Sequence, residues 1–164
     1  MPNSEADLIK AIAPYITSNS SVVLPIGDDS SGIKIPKKFK NDLLLLTTDS
    51  FVEDVDFKLN NSMDDFFFAL GKKIFAANVS DIAAMGGSPL YALVNLLLPQ
   101  KTTTAQIISL YKGFNSFAPQ VSIIGGDISR SQLLVVSITM IGFVLLIAIA
   151  LFTTTNDFIR IFTQ

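Results

Sequence analysis

MDDFFFALGKKIFAANVSDIAAMGGSPLYALVNLLLP, residues 63–99, holds the transition on which the fold turns. Between Met63 and Met85 apolar side chains return at helical spacing, with Phe67, Leu70, Ile74, Ala77 and Ile82 forming an inward stripe. Gly86-Gly87 followed by Pro89 stops that helix, because glycine accepts the left-handed conformation at a helix end and proline cannot extend one. The run LYALVNLLLP is then almost continuously apolar and closes at Pro99, the pattern of a buried strand. A long helix leading directly into a buried strand is half of a layered α/β unit.

The flanking sequence repeats the alternation. Ser4, Glu5 and Asp7 begin a helix whose apolar positions are Leu8, Ile9, Ile12 and Ile16, about four turns long. SSVVLPIGDDSSG reads as a short strand entering a Gly/Asp/Ser turn, PKKFKN as a charged loop, and LLLLTTDS as a buried strand with its functional end at Thr47–Asp49. Thr102 to Phe117 suits a helix with Ile107, Leu110, Tyr111 and Phe114 inward. VSIIGGD is a strand running into a Gly-Gly-Asp turn, and LLVVSITMIG a further strand rich in β-branched residues. The expected architecture is α/β (α+β), a mixed sheet packed with helices, and 164 residues suffice for one such domain.

Composition narrows the chemistry. A net charge of −2 without clustered Lys or Arg gives no basis for a nucleic-acid partner. With no Cys and no His there is no disulfide, thiolate, imidazole base or imidazole ligand, so any metal must be hard and oxygen-bound, Mg²⁺ or a similar ion. The N-terminus MPNSEADLIKAI lacks a basic segment followed by an apolar run, and a cytoplasmic location is expected. Hydrophobic residues reach 49% against 16% charged, and much of that imbalance lies in Leu133–Phe152, which carries no charge. That stretch reads either as a strand followed by a second apolar segment or, by length, as a membrane span.

Four acidic segments stand beside apolar elements: Gly27-Asp28-Asp29, Thr47-Thr48-Asp49, Ser80-Asp81 and Gly125-Gly126-Asp127. One such segment alone is most often a solvated turn. Several together call for a compensating divalent cation, and neighbouring glycines let backbone approach phosphate oxygens. Carboxylates, hydroxyls and glycines without His or Cys describe a Mg-nucleotide site, which is sufficient for phosphoryl transfer by positioning and charge neutralisation.

The ordered blocks Ile26-Gly-Asp-Asp-Ser30, Thr47-Thr-Asp-Ser-Phe-Val-Glu53, Ala77-Asn-Val-Ser-Asp-Ile-Ala-Ala-Met-Gly-Gly-Ser-Pro89 and Ile124-Gly-Gly-Asp-Ile-Ser-Arg130 resemble the thiamine-monophosphate kinases, from about Leu8 to Val144. Aminoimidazole-ribonucleotide synthetase, selenophosphate synthetase and a hydrogenase maturation factor share related blocks. The resemblance implies the N-terminal ATP-binding domain of that superfamily and transfer of the γ-phosphoryl group of ATP to thiamine monophosphate. It implies Asp29, Thr47, Thr48, Asp49, Asp81 and Asp127 as ligands to Mg²⁺, Gly126 and Asp127 facing ATP, and a homodimer joined through its sheets. The acceptor is itself an ionised phosphate, so no protein base is required.

The chain also departs from the family pattern. Where the family has a substrate-contacting His before Phe, this sequence has Asp56, whose charge repels a phosphate unless a cation intervenes. After Ile141-Gly-Phe-Val144 the family continues with a basic segment containing an ATP-contacting Arg, whereas this chain reads LLIAIALFTTTNDFIRIFTQ. Residues 1–144 are thus expected to form the nucleotide-binding domain. Residues 145–164 are expected to be an apolar tail of a shifted reading frame, in a chain without the family's second domain and impaired in catalysis. The alternatives are a catalytically inert nucleotide-binding or dimerisation module and a small protein anchored through Leu133–Phe152. A selenophosphate-type relative would need a reactive Cys, which is absent.

Overall fold

The computed structural model describes residues 5–27, 30–60 and 65–145. In chain order the elements are α1 (Glu5–Ile12), β1 (Val22–Leu24), β2 (Gly32–Ile33), β3 (Leu43–Val52), α2 (Phe66–Ala84), β4 (Ser88–Pro99), α3 (Thr104–Phe117), β5 (Ser122–Ser131) and β6 (Val135–Val144). Short 3-10 turns occupy Ala13–Tyr15 and Lys37–Phe39.

The Gly-Gly stop after α2 closes the helix in a defined way. Gly87 N donates to Ile82 O at 3.0 Å and Gly86 N to Ala83 O at 2.8 Å, the paired bonds of a Schellman cap. Gly86 supplies the required left-handed residue at φ 70. The cap leaves Asp81 in the last turn of α2 and delivers the chain into β4. At the start of α3, Thr103 and Gln106 form a reciprocal capping box, with Thr103 N donating to Gln106 Oε1 at 2.8 Å.

Four strands form the main sheet in the order β3-β6-β4-β5. β6 is antiparallel to both β3 and β4, while β4 and β5 run parallel and are joined by α3. The helices cover one face, where Leu70, Ile74, Phe75, Leu110 and Phe114 meet Val94, Leu96, Ile138 and Met140. Burying such side chains contributes roughly 1.5–3 kcal/mol each. α2 and α3 cross with their backbones in contact. A Cβ at Gly71 would lie 2.3 Å from Leu110 O, and one at Gly113 would lie 2.3 Å from Phe68 O, so only glycine permits this approach.

Among the described residues the opposite face is covered at one end only. There Tyr91, Ile124 and Phe143 form a second cluster beneath Val22, Ile33 and Phe39, and Phe39 stacks on Phe143 with ring centroids 4.8 Å apart. Elsewhere the described residues leave that face open, with Leu44, Leu46 and Leu97 exposed.

Three local expectations are corrected. The first helix ends at Ile12 and passes into a 3-10 turn, because Pro14 has no N–H to continue the ladder. Thr47–Asp49 lies in the middle of β3, whose pairing with β6 runs unbroken from Leu43↔Val144 to Val52↔Val135. Gly125-Gly126-Asp127 is part of β5 and not a turn, since parallel pairing with β4 continues to Ser131. Of the apolar stretch Leu133–Phe152, residues 135–144 form β6, and residues 146–152 lie outside the described residues. Among the described residues no helix is long and apolar enough to cross a membrane.

Candidate metal and nucleotide site

Side chains along a strand alternate between faces, so Thr47-Thr48-Asp49 divides. Thr47 and Asp49 point to the helix side, where the Thr47 hydroxyl donates to Asp81 Oδ2 at 2.9 Å. Asp49 and Asp81 are close enough to share a hydrogen bond when one carries a proton. Desolvation raises the pKa of Asp49 first, with repulsion from Asp81 and the hydrogen bond between them adding to it. No cationic side chain among the described residues offsets these influences. Asp81 has a further disadvantage: a carboxylate in the last turn of a helix sits at the negative end of the macrodipole. Asp81 is also exposed.

The other candidates stand elsewhere. Thr48 faces the open side and shares a hydrogen bond with Thr139 at 3.1 Å, and beside them Ser50 and Ser137 are joined at 2.7 Å. Register carries this polar row onward from Ser137 to Asn95 and from Asn95 to Asp127. Asp127 accepts a hydrogen bond from Ser129 at 2.7 Å. The structure therefore gathers Thr47, Asp49 and Asp81 on one face and places Thr48 and Asp127 on the other. Asp29 lies outside the described residues, and among the described ones no three carboxylates converge.

A cleft of about 540 Å³ runs along β5, lined by Gly27, Ser31, Asn95, Gly125, Gly126 and Asp127 among others. Its glycine wall has a backbone cause. The β4–β5 register shifts between Ala92 and Leu93, so that Ile124 is an extra residue, a β-bulge. Beyond it Gly126 adopts φ 149, and a Cβ there would lie 1.8 Å from Val94 O. Any side chain at this position would collide with the neighbouring strand. The resulting wall of bare backbone is the surface a phosphate can approach. Asn95 and Thr139 also line the cleft and escaped the sequence reading. Asn95 carried a signal, as the one amide side chain within LYALVNLLLP.

Asp56 is exposed and its carboxylate accepts a hydrogen bond from Val52 N at 2.8 Å, closing the turn after β3. Glu53, 6% exposed and quoted only as part of a motif, anchors the same turn by accepting from Leu134 N at 2.7 Å.

A hard divalent cation fits the trio on three counts. The donors are all oxygen, the two carboxylates are mutually repelling, and one of them opposes a helix dipole. Thr47, Asp49 and Asp81 would hold such an ion, while the cleft beside Gly126 has the size and backbone lining for a nucleotide phosphate chain.

Residues 27–144 match the family model described as AIR synthase related protein, N-terminal domain. The chain is 41% identical over 141 residues to the thiamine-monophosphate kinase of Bacillus subtilis (strain 168), an alignment covering 84% of this chain and 42% of that protein. The crystal structure of thiamine-monophosphate kinase from Stenotrophomonas maltophilia K279a superposes with a TM-score of 0.69 at 32% identity, covering 86% of this chain and 42% of that one. The structure of AaThiL complexed with AMPPCP and TMP matches with a TM-score of 0.58 at 31% identity, covering 84% and 40% of the respective chains. The chain thus spans about 42% of the length of the Bacillus relative it matches.

Proposed function

The chain belongs to the AIR synthase related family through its N-terminal domain, and on that premise we propose that it is the metal- and nucleotide-binding part of a kinase transferring the γ-phosphoryl group of ATP to thiamine monophosphate. The observation that carries this reading is the uncompensated Asp49–Asp81 pair, bridged to Thr47 at 2.9 Å, in a sheet whose β5 edge carries a glycine-walled cleft. The likeness to thiamine-monophosphate kinases supports the choice of acceptor.

In this reading Thr47, Asp49 and Asp81 hold one Mg²⁺. Thr48 and Asp127, on the opposite face but on the two edge strands of the sheet, serve separate ions, and Asp29 belongs to the same ligand set. When bound, Mg²⁺ supplies charge neutralisation of the phosphates during transfer. The backbone at Gly125 and Gly126 offers close approach to phosphate oxygens, and Ser129 holds the Asp127 carboxylate in orientation. The acceptor phosphate is already ionised, so the protein's task is positioning and not proton removal. Asp56 occupies the place of the substrate contact. The same reading includes a cytoplasmic homodimer joined through the open sheet face, which leaves Leu44 44% and Leu46 64% exposed in one chain.

A second reading, nucleotide binding without transfer to thiamine monophosphate, is favoured by Asp56 itself. It is an acid where an anionic substrate would sit, and its carboxylate is engaged with Val52 N. Incubation of the chain with Mg²⁺, ATP and thiamine monophosphate, followed by separation of the thiamine phosphates, decides between the two. Formation of thiamine diphosphate supports the kinase, and ATP binding without product supports the binding module.

A further inference from the structure

Tyr91 and Ser122 are register partners across the parallel β4–β5 pair, and both are fully buried at 0% exposure. Their hydroxyls are joined through the turn that precedes β1. Asn19 Nδ2 donates to Ser122 Oγ at 2.9 Å, while Asn19 Oδ1 accepts from Ser21 N at 2.9 Å and from the Ser21 hydroxyl. The Ser21 oxygen is in turn bonded to the Tyr91 hydroxyl. Ser21 has a single hydroxyl hydrogen and gives it to Asn19, so Tyr91 must be the donor to Ser21. The result is one directed chain from Tyr91 through Ser21 and Asn19, with the Asn19 amide closing on Ser122. Chains of this kind, here partly buried and anchored at both ends on buried hydroxyls, polarise along their length and fix geometry more firmly than separate bonds.

The position of this chain is what gives it consequence. On one side, Ser21 O accepts from Lys34 N at 2.8 Å at the base of the β1–β2 ribbon, whose connecting loop brings Ile26, Gly27, Ser30 and Ser31 to the cleft. On the other side, Ser122 lies two residues before Ile124, where the bulge sets Gly125, Gly126 and Asp127 into the opposite wall. The two walls of the cleft therefore share one hydrogen-bonded root.

We infer that Tyr91, Ser21, Asn19 and Ser122 form a positioning clamp that sets the separation of the two cleft walls, and through it the affinity for the phosphate chain of a nucleotide. This rests on the cleft being a nucleotide site, as proposed above. None of the four side chains touches the nucleotide in this account. They act through Ile26, Gly27, Ser30 and Ser31 and the backbone at 125–127.

Tyr91→Phe removes only the hydroxyl and keeps the ring packed against Ile124 and Phe143. Binding of a non-hydrolysable ATP analogue with Mg²⁺ should weaken about tenfold in Tyr91→Phe and in Ser21→Ala, the scale set by one hydrogen bond. Ser21→Thr, which keeps a hydroxyl, should recover most of that loss. Amide hydrogen exchange without ligand provides the independent reading. Exchange at Gly27, Ser31, Gly125 and Gly126 should accelerate together in Tyr91→Phe, while amides of α2 and α3 stay unchanged. Unaltered exchange at either wall, or acceleration spread over the whole chain, overturns the clamp. Equal nucleotide affinity in wild type and both variants also overturns it. Absence of nucleotide binding by the wild type counts against the proposed function instead, and the exchange experiment still decides the clamp.

Discussion

Thr47 donates its hydroxyl hydrogen to Asp81 at 2.9 Å, joining the middle of β3 to the last turn of α2. Beside that bond Asp49 and Asp81 stand against one another, and no cationic side chain among the described residues offsets them. A chain that needed only stability would gain by removing either acid. Two acids sharing one spot suit a site completed by a cation.

Asp49→Asn tests that reasoning in the absence of metal. The substitution removes the repulsion and the desolvation of charge, so the metal-free chain should melt higher by roughly 2 °C, a small gain because solvent screens a partly exposed pair to under about 1 kcal/mol. Differential scanning calorimetry in chelator measures it. A melting temperature lower than wild type would mean that the pair is not repulsive.

The raised pKa of Asp49 fixes the sign of a pH effect. The folded chain binds this proton more tightly than the unfolded chain, so the contribution to stability is full below the ordinary carboxylate value and declines as pH rises through the raised one. In chelator, wild type should therefore lose stability relative to Asp49→Asn as pH climbs through that window. Added Mg²⁺ should narrow the difference. Parallel pH profiles for the two proteins would contradict the assignment.

Gly126→Ala should be among the most damaging single substitutions in the sheet. Its Cβ would stand 1.8 Å from Val94 O at a φ of 149, a conformation that L residues rarely adopt. A loss on the order of 3 kcal/mol is expected from strain and displaced β4 backbone. Chemical denaturation measures it, and a change below about 1 kcal/mol would show that β5 can shift without cost.

Much of this was legible in the sequence, and the misses have causes. The stop at Gly86-Gly87 and the apolar stripe of α2 are local features, so periodicity and glycine placement found them. Gly125-Gly126 looked equally like a stop. Its glycines instead serve a bulge and a close approach to Val94, which depend on the neighbouring strand and leave no mark in local sequence. The acids of the site were visible as residue types, whereas their division was not. Thr48 and Asp127 fall on the face opposite Thr47 and Asp49 because of strand register, and register is a tertiary property. The Tyr91–Ser21–Asn19–Ser122 chain joins residues 70 and 103 positions apart and could not be anticipated from spacing.

Asp56→His examines the acceptor side. Loss of the carboxylate that accepts from Val52 N should lower stability by about 1 kcal/mol. Affinity for thiamine monophosphate should nevertheless rise, because an imidazole replaces a repelling charge. Equilibrium binding of thiamine monophosphate with Mg²⁺ present gives the comparison. Unchanged affinity would remove Asp56 from the substrate site.

The central claim is that Thr47, Asp49 and Asp81 hold a divalent cation for a bound nucleotide, and calorimetric titration of Mg²⁺ with a non-hydrolysable ATP analogue into wild type, Asp49→Asn and Asp81→Asn tests it most directly. Both variants should keep the wild-type circular dichroism spectrum and bind the Mg-nucleotide at least about tenfold more weakly, as loss of a carboxylate ligand requires. Equal affinity in all three proteins would contradict the account and leave the two aspartates as surface charges.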